Sequence, residues 1–294
     1  MDFGSFINTK KLIDFIKCRL NSDGGYSFSY PIYGVEFPSS ISETFYALAI
    51  FSMLDEDIPS KNKTIAYLEN IQRIDGNYDS PSVAFYAVKS LKLLGRMPKN
   101  AKFVDRLYAV LKRFRIFKEH FGGEFFSADY DVAGSPYRLA YQAAKTLHLV
   151  GLKIEEKDVS WILPENKNGG FGEGRSDTVS TYHALTALRC GNYELTKLRE
   201  TPSFIKRCAT EQGGYSMMSG CLPPYVETTY FSIASLNLLG KKPEGAEKHI
   251  EFLVSLQNED GGFRRSFHSG ISTLCNSYFA LKALMVLSGD ADAL

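Results

Sequence analysis

The chain has 294 residues, 44% hydrophobic and 23% charged, with a formal net charge of +1. That composition supports a large buried core, and the lack of a field of one sign argues against nucleic acid as a partner. Cys18, Cys190, Cys208, Cys221 and Cys275 are odd in number and include no CxxC pair, which fits reduced thiols in a cytoplasmic protein better than a disulfide frame.

The chain starts MDFGSFINTKKLIDF, without the long apolar run of a signal peptide. No later stretch approaches the ~20 apolar residues of a membrane span. The first distinctive phrase is Gly24-Gly25 followed by Tyr26. An apolar stretch, SETFYALAIFSML, comes next, with Phe45 and Phe51 six apart. A more polar stretch, KNKTIAYLENIQ, follows with apolar residues spaced by three and four, the pattern of a one-sided helix. The series then restarts at Gly76-Asn77-Tyr78, with Phe85 and Leu91 as the next pair and Gly95 closing the apolar stretch. A third copy begins at Gly122-Gly123, where Glu124 stands in the aromatic position and Phe125 one place later. It continues through Tyr141 and Leu147 to Gly151. The fourth has Gly169-Gly170-Phe171 and TYHALTAL with Tyr182 and Leu188, and the fifth Gly213-Gly214-Tyr215 with Tyr230 and Leu236. The sixth has Gly261-Gly262-Phe263 and SYFALKAL with Tyr278 and Leu284.

Successive first glycines are 44 to 52 residues apart, so the chain carries six copies of one unit. Each unit predicts a helical hairpin with one polar and one apolar helix. The apolar helices are hydrophobic on nearly every side and need cover all round. An open solenoid would need polar end repeats, yet the first and last apolar helices are as hydrophobic as the middle ones. The expected fold is therefore all-α: residues 1–294 form one closed toroid of six hairpins, with six inner and six outer helices. The glycine pair with its aromatic is mainly turn chemistry. Neither phosphate-loop pattern, GxGxxG or GxxxxGK[ST], is present.

The phrase LVSLQNEDGGF followed by SYFALKAL resembles the repeat shared by protein prenyltransferase beta subunits and by squalene and oxidosqualene cyclases. The resemblance runs from Gly24 to Leu287. It implies an α/α toroid whose central funnel binds an isoprenoid or other apolar small molecule against aromatic side chains. Phe85, Tyr141, Tyr182, Tyr230, Phe231 and Tyr278 are the candidate substrate-binding aromatics. Phe45, Tyr86, Tyr137 and Phe279 lie on the same helices. The resemblance also implies that the ring could act as a non-catalytic scaffold for a helical protein partner, as beta subunits bind a helical alpha subunit.

The same resemblance bears on chemistry. Beta subunits hold zinc with an Asp-x-Cys pair and a His on the next inner helix. The matching positions here are Glu227, Thr229 and Asn276, and Thr and neutral Asn are poor zinc ligands. Cys221 and Pro224 stand where the family places basic residues for the diphosphate. Cys221, His268, Cys275 and Glu227 fit no common zinc spacing, so no metal and no cofactor is expected. The cyclases use a DxDD motif for proton donation. Here Asp177-Thr178 matches only its end, with Gly174 and Ser176 replacing the other acids, and Asp177 also reads as a helix N-cap. Asp129 and Asp131 of ADYD supply two acids only. The candidate acid–base residues are Asp177, Glu227 and His183. They fall at the helix N-terminal end of the ring with Ser42, Glu43, Ser82 and Arg138. Six helix N-termini make that rim suited to an anionic headgroup, with Arg138 as the leading cation and Glu43 as a further candidate substrate-binding residue. Arg264 and Arg265 lie in a loop at one mouth of the ring. A ring-shaped glycosidase would need Trp platforms, and the one Trp, Trp161, argues against it.

Overall fold

A computed structural model describes residues 6–121, 135–268 and 270–289. The turn Gly122-Gly123, with Glu124 and Phe125, and the acids Asp129 and Asp131 lie outside the described residues. Twelve α-helices and no strands are formed among those described. They are α1 (Thr9–Lys17), α2 (Ile41–Met53), α3 (Lys61–Ile71), α4 (Pro81–Leu93), α5 (Phe103–Phe121) and α6 (Pro136–Leu149). The second half adds α7 (Glu156–Val159), α8 (Thr178–Cys190), α9 (Thr201–Arg207), α10 (Val226–Leu238), α11 (Ala246–Ser255) and α12 (Leu274–Leu287).

The even-numbered helices form the inner ring. Each packs on the next, α2 on α4, α4 on α6, and so on to α12, which returns to α2. These are the helices predicted to be covered on all sides. In α2 every residue from Thr44 to Phe51 is buried, and in α10 every residue from Thr228 to Leu236. The odd-numbered helices make the outer layer. That layer is thinner than six equal hairpins would give: α7 is a single turn running into a 3-10 helix at Ser160–Glu165, and α9 has seven residues. Pro164 lies inside the first of these, and a proline removes a backbone donor and stops an α-helix from continuing.

The glycine turns join neighbouring units. Gly24, at φ +90°, lies against the backbone of Lys63 in α3, where an added Cβ would collide. Gly261, also at φ +90°, meets Lys11 and Leu12 of α1 in the same way. The last turn thus holds the first helix, and the ring closes. Gln257 seals the seam: its Oε1 accepts from the Asn8 N–H at 2.8 Å, and its Nε2 donates to the Asn8 carbonyl at 3.1 Å. The aromatics after the glycines, Tyr26, Tyr78, Phe171, Tyr215 and Phe263, are all buried. Among the described residues no helix is long and apolar enough to cross a membrane.

Candidate functional site

The site builds up from a hydrogen bond that recurs in four repeats. The backbone N–H of the turn aromatic donates to a hydroxyl in the first turn of the inner helix. The pairs are Tyr26 to Thr44 at 3.0 Å, Phe171 to Thr181 at 3.0 Å, Tyr215 to Thr229 at 2.9 Å, and Phe263 to Ser277 at 3.0 Å. In each case the hydroxyl residue immediately precedes the anchor aromatic. It fixes the rotation of the helix, so that the anchor meets its counterparts in the neighbouring helices.

The anchors then form a circuit of ring contacts around the barrel. Phe45 touches Tyr86, with centroids 5.7 Å apart; Tyr86 touches Phe85 at 5.1 Å; and Phe85 touches Tyr141 at 5.2 Å. Tyr141 meets Tyr182 at 5.8 Å, Tyr182 meets Tyr230 at 5.8 Å, Tyr230 meets Tyr278 at 6.4 Å, and Tyr278 returns to Phe45 at 5.4 Å. All fall in the range where offset and edge contacts are favourable. Phe231 joins on Tyr182 at 4.9 Å and on Phe279 at 5.1 Å. The six predicted binding aromatics are therefore brought together, but much of their surface is turned on one another. The waist of the ring is narrow.

Above the waist, at the N-terminal ends of α2, α4, α6 and α12, lies a cavity of about 300 Å³ lined by Ile41, Ser42, Glu43, Tyr46, Ser82, Val83, Tyr86, Arg138 and Cys275. Its floor is the Tyr46–Tyr86 pair, whose hydroxyls are 3.0 Å apart. Arg138 is exposed at the edge and its guanidinium reaches the Tyr86 hydroxyl. Burial raises the Glu43 carboxyl to about 7, against the opposing pull of Arg19, and its Oε2 has no hydrogen-bond partner. Burial likewise pushes the Cys275 thiol up to about 12, so the thiol is neutral at pH 7.

The three candidate acid–base residues are differently placed. Asp177 is the N-cap of α8, its Oδ1 accepting from Ser180 N–H at 2.7 Å. Its carboxyl is raised by burial and lowered by that hydrogen bond. Glu227 is paired with Arg265, whose Nε lies 2.6 Å from Oε1, while Oε2 is buried and unpartnered. Arg265 is thus a fixed partner, not a free loop charge, and it also covers the Tyr225 ring at 4.1 Å. His183 lies in the aromatic layer, stacked on Tyr141 at 4.8 Å. Burial, and then Arg138, push its imidazole down to about 3, so it is neutral at pH 7.

Thr229 is fully buried, its hydroxyl accepting from the Tyr215 N–H at 2.9 Å. Among the described residues, no group of three or more His, Cys, Asp or Glu side chains is gathered as a metal would require. Sequence reasoning missed Tyr46 and Cys275 as cavity walls and Arg19 as the buried cation near Glu43. Tyr46 adjoins the anchor Phe45 and could have been found from that register. Nothing in the local spacing marks Arg19, which is buried against Phe15 with its guanidinium 3.6 Å from the ring centroid.

Known proteins bear on this geometry. A search among curated proteins finds no match to the chain. Among solved structures, the protein geranylgeranyltransferase-I of Candida albicans complexed with GGPP is similar at 20% identity and TM-score 0.63, covering 88% of this chain and 89% of that one. A type II terpene cyclase from Scytonema, in complex with geranylgeranyl dihydroxybenzoate, is similar at 13% identity and TM-score 0.59, covering 97% of each chain. A protein from Actinoplanes is similar at 15% identity and TM-score 0.58, covering 98% of this chain and all of that one. At these identities the likeness is one of fold. The family model described as the prenyltransferase alpha-alpha toroid domain matches residues 5–81, 77–222 and 225–294, nearly the whole chain, and the chain belongs to that family.

Proposed function

We propose that the ring binds an isoprenoid or other apolar small molecule at its N-terminal mouth, with the aromatic circuit beneath the chain and Arg138 on an anionic headgroup. The observation that carries this reading is the composition of one cavity: an exposed guanidinium, a buried carboxyl with an unpartnered oxygen, and a floor of tyrosines. The ligands named for two neighbours, GGPP and geranylgeranyl dihydroxybenzoate, are consistent with it. Any transformation of the bound molecule is acid–base work at this mouth. Glu43 is better suited to it than Asp177, whose oxygen caps a helix, or Glu227, whose Oε1 is taken up by Arg265. A group titrating near operating pH can both give and take a proton. His183 stands in the layer below as a neutral imidazole. No cofactor is required by this reading, and the unpaired cysteines favour a cytoplasmic setting.

Arg138→Ala tests the headgroup role. Losing a charge-assisted contact should weaken binding of an isoprenyl diphosphate by about tenfold or more and leave the neutral isoprenyl alcohol nearly unchanged, read by titration calorimetry. Equal losses would remove the headgroup role, and no binding of either ligand by the wild type would remove the lipid reading.

A second reading, a non-catalytic ring that docks a helical protein partner, is favoured by one feature. The segment between Tyr26 and α2 exposes Phe28, Tyr30, Ile32, Tyr33, Val35 and Phe37. Contiguous exposed apolar residues of this kind mark interaction surfaces. Native mass spectrometry of the protein from its source cells separates the two: a retained lipid favours the first, a retained polypeptide the second.

A further inference from the structure

The mouth of the ring has an apolar edge that its cavity does not use. Among the described residues fifteen large apolar side chains are exposed, and ten of them lie on three loops. The loop before α2 carries the six named above. The loop before α10 adds Met217 and Leu222, and the loop before α12 adds Phe267 and Ile271. Helix α10 packs on α12, and α12 on α2, so the three loops are neighbours at the N-terminal end of the inner ring. Two of them cross the starts of inner helices. The Met217 carbonyl accepts from the Thr178 N–H at 2.9 Å, and the Arg265 carbonyl accepts from the Val226 N–H at 2.9 Å. In the first loop, Tyr33 and Gly34 form the tip of a tight turn, closed by two backbone bonds between Ile32 and Val35 at 3.2 and 3.0 Å. Tyr33 is fully exposed there.

We propose that these three loops seat the ring on the surface of a lipid bilayer, with the Tyr33 turn set among the headgroups and the N-terminal mouth facing the membrane.

The polar groups of the loops decide for a lipid surface over a protein. A protein interface is directed by hydrogen bonds, roughly one per 100–200 Å². A backbone placed against lipid must instead be satisfied within its own chain. Here the polar groups turn back into the ring. Asn21 donates to the Phe37 carbonyl at 2.6 Å, the Ser27 hydroxyl to the Ser29 carbonyl at 2.6 Å, and the Ser216 hydroxyl to the Met218 carbonyl at 2.7 Å. In the third loop Asn258 donates to the Gly270 carbonyl at 2.9 Å, and the Ser272 hydroxyl donates to Asp260 at 2.7 Å.

Charge is handled in the same way. Over residues 27–39, 216–225 and 264–273 the formally charged side chains are Glu36, Arg264 and Arg265. Glu36 accepts from the Ser22 N–H and hydroxyl, Arg265 pairs with Glu227, and Arg264 donates to the Ser255 carbonyl at 3.3 Å. What faces outward is aromatic and aliphatic. Phe and Tyr suit the boundary between headgroups and acyl chains, where a ring is buried and a phenol stays wet. A helical protein partner would lay its apolar face into a groove, whereas the Tyr33 turn is a projection. The attraction is apolar burial, so the seat is expected to hold on neutral lipid and to resist salt.

The seat does not rest on the isoprenoid reading of the mouth, and its test needs no isoprenoid. The purified protein is floated with vesicles of phosphatidylcholine, alone or mixed with phosphatidylglycerol, at low and high salt. The wild type should float with both, at either salt. Val35→Asp and Leu222→Asp, on two different loops, should each lower the partition constant about tenfold or more. Met97→Asp, at an exposed position after α4, should leave it unchanged. Tyr33→Trp should show a blue-shifted emission on vesicles and quenching by lipids brominated on the acyl chain, against a wild type whose one Trp, Trp161, is buried. A wild type that floats with neither vesicle would overturn the seat. So would flotation that needs phosphatidylglycerol, is released by salt and is unchanged by Val35→Asp, because basic side chains elsewhere would then hold the protein. Self-association without vesicles that Val35→Asp abolishes, in a protein that does not float, would give the edge to a protein interface instead. Arg138→Ala should float like the wild type, so failure of the mouth reading and failure of the seat are distinguishable.

Discussion

Glu43 titrates near 7 in the ring and near 4.5 in an unfolded chain, because burial disfavours its ionised form. Its folded value is the raised one. The stability it allows is therefore fully present below about 4.5 and is lost as pH rises through about 7, by up to about 3 kcal/mol. His183 has the opposite sign: its folded value is depressed, so its contribution holds above 6.5 and is lost as pH falls toward 3. The two windows overlap, so a single melting curve against pH would mix them. Comparing wild type with Glu43→Gln isolates the first. The wild type should match the variant at pH 4 and become the less stable of the two by pH 7.5. A difference in melting temperature that stays flat across that range would show that Glu43 is not buried as an acid.

At the scale of elements, the bond from turn to inner helix is the joint of four of the repeats. Thr229→Val keeps shape and removes the acceptor, leaving the buried Tyr215 N–H unpaired. The expected loss is about 1–3 kcal/mol, seen as a lower urea midpoint with an unchanged slope. No shift would mean that the joint is not held there. This joint also marks how far the sequence could be read. The glycine pair, the buried aromatic and the anchor were legible because backbone geometry and burial dictate residue type. The hydroxyl before four of the anchors was equally visible, as Thr44, Thr181, Thr229 and Ser277, but its role needs the turn folded back over the helix. Read against the family pattern, Thr229 stood only for a missing ligand. The N-cap role of Asp177 was legible because capping is local. Glu43 and Arg138 could be placed at the mouth from their register. The burial of Arg19, the pairing of Arg265 with Glu227 and the part of Cys275 in the cavity all arise between distant segments, and no local pattern encodes them. The shortness of α7 and α9 likewise departs from the even hairpins expected from the period.

The ring as a whole depends on its seam. Gly261 combines a φ of +90° with backbone of α1 where a Cβ would be, whereas Gly240, at φ +66°, has open space there. Gly240→Ala should cost about 1–2 kcal/mol, the strain of a left-handed residue. Gly261→Ala adds a clash with Lys11 and should cost clearly more, because α1 must shift off the last turn. Equal losses in thermal melts of the two variants would contradict the seam. Its partners, Asn8 and Gln257, are 249 positions apart. A growing chain therefore meets the requirement for closure only after the last turn has been made. Until then the face of α2 that α12 covers stays open to solvent. Long-range closure of this kind slows folding and leaves apolar surface exposed on intermediates. A toroid of sequential hairpins thus combines local, quickly formed units with one late step, and between the two the nascent protein is an open arc that chaperones can hold and other chains can join.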